Sequence, residues 1–270
     1  MTEIKTLEDW VVQAANGDRA ALQHVLLQVK DQVYGLALRM LWHPADAEDA
    51  TQEALIRITT QLSRFEGHSR FRTWAYRVAT RSILNTKRGR VEGHWTFEAF
   101  SEDLLEGSEP AAPAGFTAPE LALLRQEVKI ACTQAMLLCL DRPHRMTYLL
   151  GEVLQLPHQE AASILELDNT LYRKRLSRAR LRVQDFTVSH CSLVNRQAPC
   201  RCEGRVGTAL KLERIDPKRL LFSEHPVTTI ERDQVAQVTS YLQEASDGGA
   251  LMRSNPQYKA PDYLLEILPD

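Results

Sequence analysis

The sequence lacks the marks of several large protein classes. It has no run of about 18 apolar residues, the length that a membrane-spanning helix needs. Its first ten residues lack the apolar core that follows a basic start in a signal peptide. Its five cysteines are odd in number and too few for a disulfide scaffold of 270 residues. We therefore expect a cytoplasmic protein without a membrane segment.

Catalytic motifs are also missing. The chain has no Gly-rich phosphate loop, no HExxH motif and no Ser or Cys nucleophile motif. The sequence therefore predicts a protein that is not an enzyme. Its composition, with 25% charged and 44% hydrophobic residues, is that of a globular protein. The net charge of −2 conceals a local segregation of acids and bases.

The chain divides into segments of different composition. Residues 7–88 are poor in Gly and Pro, with apolar residues three and four apart, which predicts a bundle of about four helices. Breaks are expected near Asn16-Gly17, His43-Pro44 and Glu66-Gly67. Residues 91–119 contain no Lys or Arg but six acids and several prolines, which is typical of a flexible linker. We predict a mainly α protein with domains at 1–90 and 120–188, a linker at 91–119 and an extension at 189–270.

An acidic helix is predicted around "DAEDATQEALIRI", residues 46–58. Asp46 is the expected cap, with Asp49 three residues on. An apolar inner face steps by three and four through Ala47, Ala50, Ala54, Ile58 and Leu62. A polar face follows the same spacing through Asp46, Asp49, Glu53 and Arg57. Acids favour any helix start, but that does not explain Gln52 or Glu53.

A basic, aromatic helix follows within residues 64–90. Its apolar face is formed by Phe71, Trp74, Ala75, Val78 and Ala79. Another face carries bases, with aromatic residues and His68 nearby: Phe65, Arg70, Tyr76, Arg77, Arg81, Asn85, Lys87, Arg88 and Arg90. Bases pair with phosphates and rings stack on exposed bases, so this face suits single-stranded nucleic acid. A solvated basic face is the alternative.

Residues 156–182 predict a helix-turn-helix. Pro157 suits the first turn of the first helix, and Asp168 or Asn169 can cap the second. The second helix carries six bases and no acid, which favours a recognition helix in the major groove: Arg173, Lys174, Arg175, Arg178, Arg180 and Arg182. A basic helix that binds an acidic protein remains the alternative.

The extension begins with "HCSLVNRQAPCRC". His190, Cys191, Cys200 and Cys202 are a candidate Cys₃His ligand set, and such ligands suit zinc or copper(I). The spacing matches no standard zinc pattern, so small buried cysteines are the other interpretation. Helices are predicted at 228–245 and 261–268. The apolar residues of 216–270 are too few for an independent core and are expected to dock on the helical domains.

Together these stretches resemble a known family. "DAEDATQEALIRI" and "RFEGHSRFRTWAYRVA" resemble region 2 of bacterial sigma factors of the extracytoplasmic-function (ECF) class, and "LQLPHQEAASILELDNTLYRKRLSRAR" is similar to their region 4. The resemblance covers residues 7–188, in the family's order. It implies a promoter-specificity subunit whose partners are core RNA polymerase, through the clamp helices of its largest subunit and its flap region, promoter DNA, and in some cases an anti-sigma protein.

The resemblance also implies roles for residues. The polymerase-docking surface corresponds to Asp46, Glu48, Asp49, Gln52, Glu53 and Arg57. The surface that reads the melted −10 element, with a flipped base held on a loop, corresponds to Phe65, Gly67, His68, Ser69, Arg70, Arg72, Tyr76, Arg77, Arg81, Asn85 and Arg88. The −35 duplex contacts correspond to Arg173, Lys174, Ser177 and Arg178. The acidic linker corresponds to the segment that threads toward the polymerase active site.

The chain departs from the family in three places. Glu166 stands where the helix-turn-helix usually has Gly, so we expect an altered turn. Leu171 and Tyr172 replace the usual Thr and Val. Residues 189–270 extend beyond the minimal family, and we expect them to be a fused regulatory segment. The alternative function is a helix-turn-helix regulator that acts without replacing the sigma subunit, but such a regulator has no need of the acidic and aromatic-basic helices.

Overall fold

A computed structural model of the chain describes residues 5–87, 92–93, 95–107, 113–220 and 245–266. Within these ranges the regular secondary structure is helical, apart from an isolated bridge between Cys191 and Cys200. The helices of the first domain are α1 (Leu7–Ala15), α2 (Arg19–Leu27), α3 (Lys30–Leu41), α4 (Pro44–Gln61) and α5 (Phe71–Asn85). Those that follow are α6 (Phe97–Glu106), α7 (Ala118–Leu138), α8 (Arg142–Tyr148), α9 (His158–Leu165), α10 (Asn169–His190), α11 (Cys202–Lys211) and α12 (Gly248–Arg253).

The first domain confirms the predicted breaks and adds one. Gly17 and Gly67 have positive φ angles of 94° and 75°, and α4 begins at Pro44. The additional break falls between α2 and α3. No Gly or Pro marks it, and so the sequence pattern does not reveal it.

Helix α4 buries the predicted inner face, with Ala47, Ala50, Ala54 and Ile58 each at most 1% exposed. Its start differs from the prediction. His43 is the N-cap residue and makes no side-chain cap bond, Pro44 occupies the first turn, and Asp46 lies inside that turn. Proline's fixed φ angle suits a helix start, which explains why the helix begins before the predicted acidic cap.

The segment between the domains is more ordered than a wholly irregular linker. Thr96 caps α6 by accepting a hydrogen bond from the Ala99 amide, and Phe100 and Leu104 are buried against the main core. Glu92 is buried and pairs with Arg142 (2.5 Å) and Arg145 (2.7 Å) of α8. The segment therefore contributes apolar packing and a buried ion pair, which composition alone does not show.

The extension contains helix α11, which is not among the helices predicted for it. Arg205 of α11 donates to the Asp103 carboxylate at 2.7 Å, which ties the helix to α6. Residues 245–266 dock on the helical domains, as predicted, and bury Leu251, Met252 and Leu264 in the main core. A 3₁₀ turn, Asp262–Leu265, lies within the predicted 261–268 helix. The predicted helix at 228–245 falls almost entirely outside the described residues.

We define residues 245–266 as the strap, because they contact both helical domains. Gly248 donates its amide to Gln184 of α10 at 3.0 Å, and Lys129 of α7 donates to Ser254 at 2.6 Å. Lys30 of α3 then pairs with Asp262 at 2.6 Å. The strap thus crosses from the helix-turn-helix to the first domain.

Candidate nucleic-acid interface

The acidic side of α4 lies at the surface. Asp49, Glu53 and Arg57 are exposed, while Asp46, Glu48 and Gln52 are partly buried. Arg57 donates to Glu53 at 2.6 Å, one turn apart on the helix. The Tyr263 hydroxyl of the strap donates to the Glu48 carboxylate, and this bond raises the pKa of Tyr263. One end of the predicted docking surface is therefore covered by the chain itself.

The loop before α5 and the helix itself carry the predicted −10 residues. Phe65 packs edge-on against Phe71 at 5.7 Å and is also near Trp74, so these rings form a partly buried cluster. His68, Arg70, Arg72, Arg81 and Asn85 are exposed, and Ser69 and Arg77 are partly exposed. Burial raises the pKa of Tyr76 to about 12. The predicted residue Arg88 lies outside the described residues.

Helix α9 packs directly on α5 and covers part of this surface. Thr73 donates to Glu160 at 2.5 Å, and Arg77 donates to Ser163 at 2.6 Å. Arg81 donates to both carboxylate oxygens of Glu166, through Nε at 2.9 Å and through Nη2. The hydrogen bond from Arg81 lowers the pKa of Glu166. Of the arginines predicted to follow a phosphate backbone, Arg81 thus contacts a carboxylate and Arg77 contacts a hydroxyl.

Helix α10 presents the predicted −35 face to solvent. Arg173, Lys174, Ser177 and Arg178 are all exposed. Two other bases of the helix have structural contacts. Arg180 pairs with Glu152, and Arg182 lies 5.3 Å from the ring of Phe97. The predicted contact residues are therefore exposed, and Ser177 lies beside Arg180 and Glu152 on the same side of the helix.

The helix-turn-helix keeps a left-handed turn despite its glutamate. Glu166 has φ 55° and ψ 40°, a conformation that costs an L-residue about 1–2 kcal/mol. The expected change in the turn is therefore wrong, and the contact of the Glu166 side chain with Arg81 helps to offset the strain. Asp168 caps α10 by accepting from the amides of Thr170 and Leu171, both at 2.9 Å. Tyr172 is fully buried and anchors the helix.

The candidate Cys₃His set is not assembled as a metal site. Within the described residues, no group of three or more His, Cys, Asp or Glu side chains has a geometry that could hold a metal ion. His190 uses both ring nitrogens, with Ser101 at 2.8 Å and the Phe186 carbonyl at 3.0 Å. Cys191, Cys200 and Cys202 instead line a small cavity with Cys132, and burial raises the pKa of all four thiols. The arrangement is nearer to the alternative of small packed cysteines, and each of these four side chains is partly buried.

The residues that connect α5 to α9 and the strap to α4 are not predicted by the sequence. Thr73, Glu160 and Ser163 join α5 to α9, and Tyr263 joins the strap to α4. The first three lie on helix faces that look solvated, and nothing in their local spacing pairs them. In the sequence, Glu166 stands out only as a departure in a turn. Its negative charge is the signal that could have paired it with the basic helix α5.

A helix-turn-helix with an exposed basic helix, together with an aromatic-basic helix and an acidic helix, is the pattern expected of a DNA-binding protein that also binds a protein partner. Residues 26–91 match the sigma-70 region 2 family. RNA polymerase sigma-H factor of Pseudomonas aeruginosa is 29% identical over 172 residues, which are 63% of this chain and 88% of the relative. ECF RNA polymerase sigma factor SigE of Mycolicibacterium smegmatis is 30% identical over 181 residues, 66% of this chain and 67% of the relative.

The chain therefore belongs to the ECF RNA polymerase sigma factors. A solved structure titled as CnrH in complex with the cytosolic domain of CnrY has a TM-score of 0.45 at 18% identity, covering 64% of this chain and 91% of that one. At that level of similarity the solved structure does not support the family assignment, which rests on the sequence relatives. Among the described residues, no helix is long and apolar enough to cross a membrane.

Proposed function

We propose that this protein binds core RNA polymerase and directs it to promoters. The observation that carries the proposal is the exposed face of α10, within a chain that belongs to the ECF sigma factors. In this function α4 docks on polymerase, α5 and its preceding loop bind the melted −10 strand, and α10 binds the −35 duplex. The protein positions DNA and polymerase and makes or breaks no covalent bond. It acts where the nucleoid is, in the cytoplasm.

The described arrangement is a closed one, and we define it as the closed state. Helix α9 covers Thr73, Arg77 and Arg81 of α5, while Tyr263 covers Glu48 of α4. Promoter binding requires both DNA-binding helices to reach separate elements of the same duplex. The α5–α9 contact must therefore open before the −10 strand can reach Arg77 and Arg81. The strap favours the closed state because it contacts both domains, which supports a regulatory role for the extension.

Binding to core RNA polymerase tests both parts of this proposal. The full chain is compared with Tyr263→Phe, which removes only the hydroxyl that donates to Glu48. A hydrogen bond to a charged group contributes about 1.5–3 kcal/mol when buried, and this exposed one contributes less, so we expect polymerase affinity to rise by about two- to tenfold. Tyr258→Phe is the comparison variant, since it removes a strap hydroxyl that accepts from Gln134 of α7 at 3.2 Å and leaves the contact of Tyr263 with Glu48 in place.

The outcomes separate the two parts. Binding of all three proteins, with Tyr263→Phe tightest, supports the sigma function and the covering role of the strap. Equal binding of all three supports the sigma function and removes that role. Absence of polymerase binding by every protein, together with retained binding to duplex DNA, replaces the sigma function with that of a helix-turn-helix regulator acting alone.

A further inference from the structure

A cavity of about 300 Å³ lies where the first domain, the inter-domain segment, α7 and the extension meet. Its wall includes Trp42 and His43 at the junction of α3 and α4, Trp95 just before α6, Ala131 of α7 and Arg214 after α11. That volume is at the lower end of the range for small-molecule sites. The cavity belongs neither to the predicted polymerase surface nor to either DNA surface.

The body of the cavity is aromatic. The rings of Trp42 and Trp95 are 6.1 Å apart and tilted by 33°. Phe100 meets Trp95 edge-on at 5.3 Å. Rings placed in this way present flat apolar faces and positive edges, which favour a planar apolar molecule over a flexible polar one.

The polar part of the wall is positively charged. Asp103 accepts from Arg205 at 2.7 Å and from both terminal nitrogens of Arg214, at 2.8 and 2.6 Å. Two guanidinium groups thus face a single carboxylate. Arg214 is also the more exposed of the two, with 38% of its side chain accessible against 5% for Arg205. A second anion can therefore reach Arg214 without displacing Asp103 from Arg205.

The wall therefore combines an apolar aromatic body with a surplus positive charge. These two properties together are features of a ligand site.

We propose that this cavity binds a small aromatic acid, with the ring system against Trp42 and Trp95 and the anionic group at Arg214. Its wall combines the first domain, the inter-domain segment, α7 and the extension. The ligand therefore binds the closed state better than any state in which these parts separate, and it stabilises that state. The effect of this stabilisation on polymerase binding rests on the proposed sigma function, whereas the binding of the ligand does not.

Fluorescence titration with 1-anilinonaphthalene-8-sulfonate tests the binding. This probe combines planar aromatic rings with one anion, and its emission increases in apolar sites. We expect saturable binding of one probe per chain. Ala131→Phe fills the cavity from a partly exposed position and is expected to abolish binding, whereas Ala20→Phe, on the exposed side of α2, is expected to leave it unchanged. Circular dichroism melting of each variant shows whether it is folded.

The anionic part of the proposal has its own test. Arg214→Gln is expected to weaken probe binding by about tenfold, the effect of losing one charge-assisted contact. N-phenyl-1-naphthylamine, which lacks the sulfonate, is expected to bind wild type and Arg214→Gln equally. Arg219→Gln, an exposed position outside the cavity wall, is the control. Equal loss of both probes in folded Arg214→Gln overturns the anion assignment.

Failure of this inference is distinguishable from failure of the proposed function. Absence of probe binding, or equal binding to a folded Ala131→Phe protein, overturns the ligand site whatever polymerase does. If the site is real and the chain is a sigma factor, saturating probe lowers the polymerase affinity of wild type and leaves Ala131→Phe unaffected. Probe binding without that effect retains the site but overturns its coupling to the closed state. Absence of polymerase binding in any condition overturns the proposed function alone.

Discussion

Arg81 donates from Nε and from Nη2 to the two carboxylate oxygens of Glu166, so that one arginine of α5 holds the turn of the helix-turn-helix. A phosphate group would present the same pair of acceptor oxygens to the guanidinium fork. The contact therefore places a carboxylate where the −10 strand is expected to bind. Glu166 occupies a left-handed position, which allows its role to be tested without damage to the turn.

The first prediction concerns Glu166→Gly. Glycine adopts the left-handed conformation freely, so the turn is retained while Arg81 loses its partner. Because exposed ion pairs contribute about 0.2–1 kcal/mol, we expect single-stranded −10 DNA to bind about two- to fivefold more tightly, as measured by fluorescence anisotropy. Glu213→Gly is the matched control, because Glu213 is also left-handed (φ 52°) and exposed. Equal affinity of the two variants for the strand would contradict the masking of Arg81.

The second prediction concerns the buried pair of Arg145 and Glu92, whose side chains are both 3% exposed. Arg145 also donates to the carbonyl oxygens of Met40, Leu137 and Leu140. Arg145→Met removes the donor of these carbonyl oxygens and one of the two cations that pair with the Glu92 carboxylate. We therefore expect the free energy of unfolding, measured in urea, to fall by about 3–5 kcal/mol. Arg145→Lys keeps the charge without the planar fork and should lose less. A loss under about 1 kcal/mol for Arg145→Met would show that the network contributes little.

The third prediction separates two exposed arginines of α10. Arg178→Ala is expected to weaken −35 duplex binding and to reduce the slope of log affinity against log salt by about one, because one phosphate contact is lost. Arg180→Ala removes a residue that already pairs with Glu152 and should change that slope less. Binding titrations at several salt concentrations make the comparison. Identical slopes for both variants would contradict the assignment of the −35 face.

The fourth prediction is a loss of stability at alkaline pH. Burial raises the pKa of Cys200 to about 11 and that of Cys202 to about 12, from an ordinary value of 9.0. Since the folded state holds these protons more tightly than the unfolded state, the contribution is complete below pH 9.0 and is lost as pH rises through the folded pKa. The free energy of unfolding should therefore fall from pH 8.5 to about 10.5.

Cys202→Ala tests the source of that decrease. Alanine does not titrate, so the variant should lose less stability than wild type over the same pH interval. Ser192→Ala, beside the same cysteines in the chain but without a titrating group, should keep the wild-type slope. An unchanged slope in Cys202→Ala would mean that this thiol ionises as freely in the folded protein as in the unfolded chain.

Local patterns of the sequence predict the helices well and their long-range contacts poorly. The apolar spacing of Ala47, Ala50 and Ala54 is sufficient to orient α4. The position before a basic helix marks Asp168 or Asn169 as its cap, and the structure shows that the cap is Asp168. The pairing of Tyr263 with Glu48 joins residues 215 positions apart, and no local spacing reports such a contact. The same holds for Thr73 and Glu160, which are 87 positions apart. The cysteines were ambiguous because Cys132, on a separate helix, completes their cluster only in the folded chain.

The order in which the chain is synthesised determines when the strap can cover α4. Lys30 leaves the ribosome 232 residues before its partner Asp262. At rates of about 5–20 residues per second, the first domain is complete for about 9 to 36 seconds before Tyr263, which covers α4, has been synthesised. Each newly made molecule thus passes through an interval in which its acidic helix is uncovered. A stalled or shortened translation product would keep that surface permanently exposed.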